Sequence, residues 1–302
     1  MMVLLVALWQ GFVNGVIVNA GGGGFDEKTL IKGSIVFSSF ASGNWEIWSV
    51  KPDGTDLKQL TNTPREEHSP AVSPDGKEIV YLDNKRSLQI MNLDGSQVRE
   101  IPLPNGIYAQ PAWSPDGNEI AFVKFTVVPT DESEIWILKR EGRDWGEPER
   151  VSIHPPMRLY PSFSPDGSQL VYAELRKDRL LGVIEEIGIL DRGGNCFKKI
   201  TEDLSDSFDP VWSPLGDKIV YTSNKKGNYD IWVMTLNDQK DTQLTTDASY
   251  DGEPTWSSDG NEIAFVSTRS GNKEIWVVSV DRGRLQQVTN MGKSCKDPFW
   301  VR

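Results

Sequence analysis

The segment Glu253–Thr289 (EPTWSSDGNEIAFVSTRSGNKEIWVVSVDRGRLQQVT) alternates four short apolar runs with polar, glycine-containing turns. The runs are Pro254–Ser257, Glu262–Ser267, Glu274–Val280 and Leu285–Thr289. Runs of this length joined by tight turns predict an antiparallel meander of four strands. The second and third runs are apolar at nearly every position, which is expected of strands covered on both faces. Since one such sheet cannot cover itself, we expect several to stack face to face.

The same unit recurs along the chain. Its most regular piece is Ser-Pro-Asp-Gly, found at Ser73–Gly76, Ser114–Gly117 and Ser164–Gly167 and, in altered form, at Ser213–Gly216 and Ser257–Gly260. Proline sets the backbone angle of a type I turn, and glycine takes the left-handed position that closes a hairpin. A proline precedes the first strand of each copy, at intervals of 41 to 50 residues: Pro70, Pro111, Pro161, Pro210, Pro254 and Pro298. This period is typical of propellers with four-stranded blades.

The two ends of the repeat array are each incomplete. Asp297–Arg302 holds only a first strand, whereas Ser34–Thr61 holds the other three strands. Together they make one blade, which indicates that the C-terminal strand pairs with the N-terminal blade and leaves no open edge. With the five complete repeats, the sequence predicts an all-β fold, a six-bladed β-propeller of four-stranded antiparallel blades over residues 34–302.

The repeat motif also resembles that of a known family. It runs from Pro-x-Trp-Ser-Pro-Asp-Gly (Pro111–Gly117), through Ile-Ala-Phe-Val-Ser-x-Arg-x-Gly-Asn-x-Glu-Ile-Trp (Ile263–Trp276), to a closing Val-Thr (Val288–Thr289). This pattern is similar to the WD40-like repeat of the TolB-like six-bladed propellers. The resemblance implies a protein of the bacterial envelope, since TolB uses its propeller to bind a peptidoglycan-associated lipoprotein in the Tol system.

The N-terminal residues differ from the repeats in composition. Met1–Ala20 is apolar and uncharged, and Val18–Ala20 is similar to a cleavage site of small residues. We interpret Met1–Ala20 as a secretory signal peptide, with an uncleaved anchor or a misassigned start as the alternatives. Residues 21–33, which begin with four glycines, are expected to form a flexible linker. The protein is therefore predicted to be periplasmic or secreted, with no membrane insertion after signal cleavage.

The charge of the chain argues against some classes of partner. It has 43 acidic and 32 basic residues, which give a formal net charge of −11 at pH 7. An acidic surface disfavours binding to nucleic acid or to anionic lipid. We therefore expect no nucleic-acid partner, and the resemblance implies an envelope protein instead. We expect the propeller to be a monomer.

The residue before each repeat proline is expected to lie at the mouth of the central channel, because the first strands line that channel. We call these six the mouth residues: Ser69, Gln110, Tyr160, Asp209, Glu253 and Asp297. The three carboxylates lie on consecutive blades, where they can hold a hard cation such as Ca²⁺ or receive a basic or amide group from a partner. The alternative is that each carboxylate accepts a hydrogen bond from a backbone amide of the neighbouring blade.

These residues supply the candidate sites. Asp209, Glu253 and Asp297 are candidate calcium ligands, and with Tyr160 and Gln110 they are candidate partner-binding residues. No catalytic residue and no cofactor other than calcium is predicted.

Two blades are longer than the others. The third is expected to have a longer loop between its second and third strands at Thr126–Ser133 and a longer outer hairpin at Arg140–Glu149. The fourth is expected to have a longer inner loop at Arg176–Glu186. Both inner loops should open on the face of the channel mouth. Loops on a rigid scaffold often bind partners, and tolerated surface insertions are the equal alternative.

An enzyme is the competing interpretation. The chain has no Gly-x-Ser-x-Gly nucleophile motif, and its two histidines, His68 and His154, precede first strands. A metal-dependent lyase or hydrolase acting on a polysaccharide or peptide would use these imidazoles with the mouth carboxylates. Catalysis is therefore left open. The favoured prediction is a rigid protein-binding module that uses its channel mouth and inner loops.

Overall fold

The computed structural model describes residues 33–85, 87–126, 132–151, 158–178, 182–193, 197–281 and 283–301. These residues form 25 β-strands in six antiparallel sheets, the blades of a propeller, and this confirms the predicted fold class. No α-helix occurs among them, and hence none that is long and apolar enough to cross a membrane. The predicted signal peptide Met1–Ala20 and nearly all of the predicted linker lie outside the described residues.

The first three blades contain the following strands. Blade 1 has β1 (Ile35–Ser39), β2 (Glu46–Val50), β3 (Lys58–Gln59) and the C-terminal β25 (Cys295–Trp300). Blade 2 has β4 (His68–Val72), β5 (Glu78–Leu82), β6 (Leu88–Asn92) and β7 (Arg99–Glu100). Blade 3 has β8 (Ile107–Trp113), β9 (Glu119–Thr126), β10 (Glu132–Glu141), β11 (Asp144–Trp145) and β12 (Glu149–Arg150).

The other three blades are more uniform. Blade 4 has β13 (Arg158–Phe163), β14 (Gln169–Asp178), β15 (Gly182–Asp191) and β16 (Phe197–Lys199). Blade 5 has β17 (Ser207–Trp212), β18 (Lys218–Ser223), β19 (Asp230–Thr235) and β20 (Lys240–Gln243). Blade 6 has β21 (Asp251–Trp256), β22 (Glu262–Ser267), β23 (Glu274–Ser279) and β24 (Leu285–Gln287).

Blade 1 joins the two ends of the repeat array. Its strand order is β25-β1-β2-β3. The C-terminal strand β25 is antiparallel to β1, with Trp300 opposite Ile35 and Cys295 opposite Ser39. β25 therefore occupies the innermost position of blade 1, which the first strand of the repeat occupies in every other blade.

The hydrophobic core lies between neighbouring blades. At the boundary of blades 5 and 6, Val220 and Val233 pack against Trp256 and Phe265. Trp256 is buried, and its indole N–H donates to the backbone oxygen of Val211 at 3.0 Å. Replacing a buried Trp of this kind by Ala typically costs about 3–5 kcal/mol. Both faces of the second and third strands are covered in this way, as their continuous apolar sequences predict.

Each mouth residue lies inside its innermost strand. Strand β21 begins at Asp251, three residues before the predicted run at Pro254. All six mouth residues have left-handed backbone, with φ between +50° and +56°, and next to Glu253 the pairing register with β22 shifts between Gly252 and Thr255. A β-bulge of this kind re-aims a side chain without ending the strand. The predicted strand start was wrong because it assumed an unbroken ladder.

The Ser-Pro-Asp-Gly turns have the predicted conformation. In the first, the Gly76 amide donates to the Ser73 backbone oxygen at 2.8 Å, and Gly76 has a φ of +67°. The Ser73 hydroxyl oxygen accepts a 3.0 Å hydrogen bond from the Glu78 amide. These local bonds fix the hairpin between the first and second strands on the face opposite the channel mouth.

Strand pairing extends into both inner insertions. Strands β9 and β10 stay paired as far as Thr126 opposite Glu132, and β14 and β15 as far as Asp178 opposite Gly182. The predicted loop Arg176–Glu186 was therefore wrong over most of its residues, because the ladder of β14 and β15 continues into it. Of the predicted loop Thr126–Ser133, Thr126, Glu132 and Ser133 belong to strands, and the residues between Thr126 and Glu132 lie outside the described residues. In the outer hairpin Arg140–Glu149, β11 pairs with the end of β10 and gives blade 3 a fifth strand.

Candidate functional site at the channel mouth

The innermost strands surround a cavity of about 420 Å³ on the channel axis. Its lining includes all six mouth residues, so the structure brings together the residues that the repeat register identifies. Phe208, Tyr250, Lys296 and Phe299 are further lining residues. Each blade supplies one residue to the mouth, and the chemistry of the site depends on which side chain that is.

Hydrogen bonds link the mouth residues from blade to blade. The backbone amide of Asp297 donates to Glu253 Oε2 at 2.7 Å, and the amide of Ser69 donates to Asp297 Oδ2 at 3.1 Å. In the neutral part of the ring, the amide of Tyr160 donates to Gln110 Oε1 at 2.8 Å. Glu253 and Asp297 thus accept backbone amides of the next blade, which was the alternative interpretation of the acidic residues.

The acidic residues of the mouth have perturbed acidity. Burial raises the pKa of Asp209 well above its usual value, and repulsion from Glu253 and Glu185 raises it further. A hydrogen bond from the Glu253 amide acts on Asp209 in the opposite direction. Burial, followed by repulsion from Asp297, also raises the pKa of Glu253. Asp209 and Glu253 therefore keep their protons to a higher pH than free carboxyl groups do.

Two lysines compensate part of the remaining charge. Lys273 Nζ lies 3.4 Å from Glu253 Oε1, and Lys296 Nζ lies 3.6 Å from Asp297 Oδ2. Asp209 has no lysine or arginine within salt-bridge distance in the part of the chain that the structure describes. Asp209 is consequently the mouth carboxyl whose charge the described residues leave uncompensated.

Aromatic side chains follow one side of the mouth. The ring centroids lie 6.2 Å apart for Tyr160 and Phe208, 5.4 Å for Phe208 and Tyr229, and 5.9 Å for Tyr229 and Tyr250. We call these four residues the aromatic arc. It spans blades 4 to 6, and Asp209 is the mouth residue of blade 5, between them. Aromatic rings offer large, rigid contact areas and accept cations on their faces, so this side of the mouth is suited to binding.

Glu185 is a further acidic group near the mouth that sequence analysis did not identify. Its amide donates to Asp206 Oδ1 at 3.3 Å, and the Tyr229 hydroxyl donates to Asp206 Oδ2 at 3.0 Å. Burial, followed by repulsion from Asp206, raises the pKa of Glu185 to about 7. Among the described residues, Glu185 Oε2 has no hydrogen-bond partner although it is buried. The only sequence signal is the unusual length of its hairpin.

Two exposed apolar side chains lie beside this acidic pair. Val183 is 53% exposed and Leu204 is 52% exposed. Val183 precedes Glu185 by two residues, and Leu204 precedes Asp206 by two, so the contact between those acids brings the two segments together. We call Val183 and Leu204 the apolar ledge. Val183 lies on β15 of blade 4, and Leu204 lies in the connection between β16 and β17.

The channel narrows toward the opposite face. A second cavity of about 90 Å³ is lined by aromatic residues of five blades together with turn prolines; the aromatic residues are Trp113, Phe163, Trp212, Trp256, Phe299 and Trp300. These rings make that end narrow and apolar. The wide, polar end at the mouth residues is therefore the end suited to a ligand.

The mouth geometry gives no support to the candidate calcium site. In the described ranges, no group of three or more His, Cys, Asp or Glu side chains is arranged to hold a metal ion. Glu253 and Asp297 each use an oxygen to accept a backbone amide, whereas Ca²⁺ takes about six to eight oxygen ligands. Asp209, Glu253 and Asp297 alone therefore do not fit a calcium site, and calcium binding stays a prediction.

The histidines of the enzyme hypothesis are only partly described. His68 Nε2 lies 3.7 Å from Glu66 Oε2, and its ring packs at 5.9 Å from that of Trp45. His154 lies outside the described residues. The placement of the two imidazoles relative to the mouth carboxyls is therefore not tested, and a metal-dependent lyase or hydrolase also stays a prediction.

A family model described as the TolB beta propeller domain matches residues 82–229 and, in a second match, residues 207–302. The chain belongs to this TolB β-propeller family. The matched residues run from the end of β5 in blade 2 to the closing strand in blade 1. The resemblance drawn from the repeat motif is thereby confirmed.

Individual TolB proteins share part of the chain. The TolB homolog of Chlorobium luteolum is 28% identical over 152 residues, which are 49% of this chain and 33% of that protein. The Tol-Pal system protein TolB of Francisella tularensis subsp. tularensis is 26% identical over 200 residues, 65% of this chain and 44% of that protein. The match spans less than half the length of either relative.

A solved structure shows the same fold. The crystal structure of TolB from Acinetobacter baumannii superposes with a TM-score of 0.76 at 20% sequence identity. The superposition covers 89% of this chain and 66% of that one.

Proposed function

We propose that the protein is a periplasmic or secreted binding module that holds an envelope protein at its channel mouth and inner hairpins. The observation that carries this proposal is the combination found at one end of the channel. There, a cavity of about 420 Å³ adjoins the aromatic arc and Asp209, which no described basic side chain neutralises. The relative named for the Tol-Pal system supports a protein partner in the envelope.

Binding at this site depends on preorganised shape and charge. The mouth residues lie in the innermost strands of the blades, and hydrogen bonds link them from one blade to the next. They are therefore already ordered, so little conformational entropy is lost on binding. A partner segment would place apolar or aromatic groups on the arc and the apolar ledge, and a hydrogen-bond donor at Asp209. Buried aromatic residues contribute most to interfaces of this kind, and Phe208 is central in the arc.

The proposal is tested by capture from an envelope extract of the source bacterium, with the immobilised propeller as bait and quantitative mass spectrometry as the readout. Phe208→Ala removes the centre of the arc, and Asp209→Asn removes the carboxyl while keeping an oxygen acceptor. Leu215→Ser is the control, because Leu215 is 76% exposed on the opposite face. We expect the wild type and the control to retain one envelope protein. Phe208→Ala and Asp209→Asn should each retain at least about tenfold less of that protein.

The test has two outcomes against the proposal. Equal retention by all four proteins would place the binding surface away from the mouth. If no protein is retained, and the propeller cleaves a polysaccharide or peptide only when metal is supplied, the enzyme hypothesis replaces the binding module. We also propose that the module is a monomer in solution, which light scattering after gel filtration tests directly.

A further inference from the structure

Two carboxyl groups are buried together where blade 1 meets blade 2. Glu46 is the first residue of β2, and Glu67 lies in the connection that leads into β4. They are 0% and 2% exposed. Within the described residues, neither has a lysine or arginine partner in a salt bridge. Burying two ionised carboxylates without a counter-charge is strongly unfavourable, so the pair requires another explanation.

Thr63 donates a hydrogen bond to each of the two carboxyl groups. Its amide donates to Glu46 Oε1 at 3.0 Å, and its hydroxyl donates to Glu67 Oε1 at 2.5 Å. Asn44 Nδ2 donates to Glu46 Oε1 at 2.9 Å, and the Thr61 hydroxyl donates to Glu67 Oε2 at 3.3 Å. These bonds satisfy three of the four carboxyl oxygens and leave Glu46 Oε2.

Glu46 Oε2 is buried and receives no N–H or hydroxyl donor from the described residues. Buried acceptors are almost always hydrogen-bonded, and the Glu67 side chain lies within hydrogen-bond reach of Glu46. A proton on Glu67 supplies the missing donor, so that a carboxylic acid bonds a carboxylate. In agreement, burial and then this hydrogen bond with Glu46 raise the pKa of Glu67 to about 8.

The other ionisable groups around the pair do not replace this proton. Tyr81 on β5 faces both carboxyls, and burial, followed by repulsion from the acids, raises the pKa of its hydroxyl. Asp83 lies just after β5, and its Oδ2 forms a salt bridge with Arg65 Nη1 at 3.4 Å. That guanidinium therefore pairs with Asp83 and not with Glu46 or Glu67. His68 Nε2 lies 3.7 Å from Glu66 Oε2. No positive charge in this set is available to a second carboxylate.

We propose that Glu46 and Glu67 form a proton-dependent latch, which holds the connection Thr61–His68 closed only while Glu67 carries its proton. Loss of the proton puts two negative charges in contact in a buried site. The charges separate when Glu67 moves into water. That movement breaks the 2.8 Å bond from the Glu67 amide to the Trp45 backbone oxygen and the bond from the Thr63 amide to Glu46.

The latch connects directly to the channel mouth. Ser69 follows Glu67 by two residues, and its amide donates to Asp297 Oδ2. Opening of the connection therefore frees one end of the ring of hydrogen bonds that joins the mouth residues. This inference does not depend on the proposed partner, because it concerns the stability of the boundary between two blades.

The equivalent boundary between blades 6 and 1 provides an internal comparison. There, Glu274 accepts hydrogen bonds from the Thr289 hydroxyl at 2.6 Å and from the amides of Met291 at 2.9 Å and Gly292 at 3.0 Å. Cys295 takes the place that Glu67 has at the first boundary. Both oxygens of Glu274 have donors, so this boundary needs no shared proton.

The test is hydrogen exchange of the full chain, with the amides of Thr63 and Glu67 followed between pH 6 and pH 9. Protection factors, corrected for the intrinsic pH dependence of exchange, are expected to fall roughly tenfold per pH unit up to about pH 8 and then to level off. Amides between Thr289 and Cys295 are expected to keep constant protection over the same range. Constant protection at Thr63 and Glu67 would overturn the latch.

Three variants complete the test. Glu67→Gln keeps the shape and can donate to Glu46 Oε2 without titrating, and Glu46→Gln removes the other charge, so both should abolish the pH dependence. Glu66→Gln changes a partly exposed neighbour and should keep the wild-type profile. If Glu67→Gln and Glu46→Gln both retain the wild-type slope, another group controls the opening and the proposal is wrong.

Discussion

The backbone amide of Asp297 donates a 2.7 Å hydrogen bond to Glu253 Oε2 across the boundary between blades 6 and 1. The same relation joins Asp297 to Ser69 on the following blade. These acids face the channel and also hold neighbouring blades together. Tests of function at the mouth must therefore separate the charge of a side chain from its role as an acceptor.

Substitutions of Glu253 make this separation. Alanine would leave the Asp297 amide without its acceptor, and we expect a loss of about 1–3 kcal/mol in the free energy of unfolding. Glutamine keeps an oxygen acceptor and should cost less than about 1 kcal/mol. Urea denaturation of Glu253→Ala and Glu253→Gln at pH 7 measures the difference. Equal losses would show that the Asp297 amide finds another acceptor.

The left-handed backbone of the mouth residues leads to a second prediction. Ser69 and Gln110 have φ of +50° and +53°, a conformation that costs a non-glycine residue about 1–2 kcal/mol. Ser69→Gly relieves this cost, whereas Gln110→Gly also removes the acceptor of the Tyr160 amide. We expect Ser69→Gly to be the more stable variant by about 1–2 kcal/mol, as measured by urea denaturation. The same stability in both variants would mean that the Gln110 side chain contributes nothing to the ring.

The repeats made the fold and the mouth positions predictable. Turn glycines and the prolines of the first strands are local requirements of the backbone, so their spacing shows where each blade begins. The bulge at each mouth residue was not predictable in this way. Serine, glutamine, tyrosine, aspartate and glutamate occupy these positions, and they have no common preference for positive φ. At Ser69, Tyr160 and Asp297 the amide of the bulged residue donates to a side chain of a neighbouring blade, and the sequence of one blade does not contain that acceptor.

The two acidic pairs, Glu46 with Glu67 and Glu185 with Asp206, were not predictable from the sequence for a different reason. Glu46 and Glu67 lie 21 residues apart and resemble ordinary surface charges in the sequence. Glu185 belongs to a hairpin whose direction over the mouth depends on how far β14 and β15 stay paired. In both cases burial creates the unusual chemistry, and burial depends on contacts between separate blades.

Glu185 predicts a pH dependence of stability. Its pKa is about 7 in the folded protein, above the roughly 4.3 of a free glutamate. Between these values the folded state binds more protons than the unfolded state, so the free energy of unfolding falls as the pH rises and this contribution is constant above about pH 7. Glu185→Gln lacks it, and should gain roughly 1–3 kcal/mol relative to wild type between pH 5 and pH 8.

Urea denaturation at four pH values between 5 and 8 checks this prediction. Glu100→Gln is the control, because Glu100 is exposed on β7, and its stability relative to wild type should not change with pH. A constant difference between Glu185→Gln and wild type would show that Glu185 titrates as it does in the unfolded chain.

The buried thiol of Cys295 reports on the closing strand. Burial raises its pKa to about 12, and since the thiolate is the reactive form, only about one thiol in ten thousand is reactive at pH 8. Cys295 also lies opposite Ser39 in the pairing of β25 with β1, so a reagent reaches it only after these strands separate. The sequence contains one other cysteine, Cys196, which is replaced so that only Cys295 is labelled. In this Cys196→Ser protein, we expect no reaction with a thiol reagent under native conditions and one equivalent in urea. Trp300→Ala weakens the packing of β25 and should accelerate the native reaction, whereas Leu215→Ser should not. Fast native labelling of Cys295 in the Cys196→Ser protein without a further substitution would mean that β25 detaches readily. The closed ring would then not be the stable state.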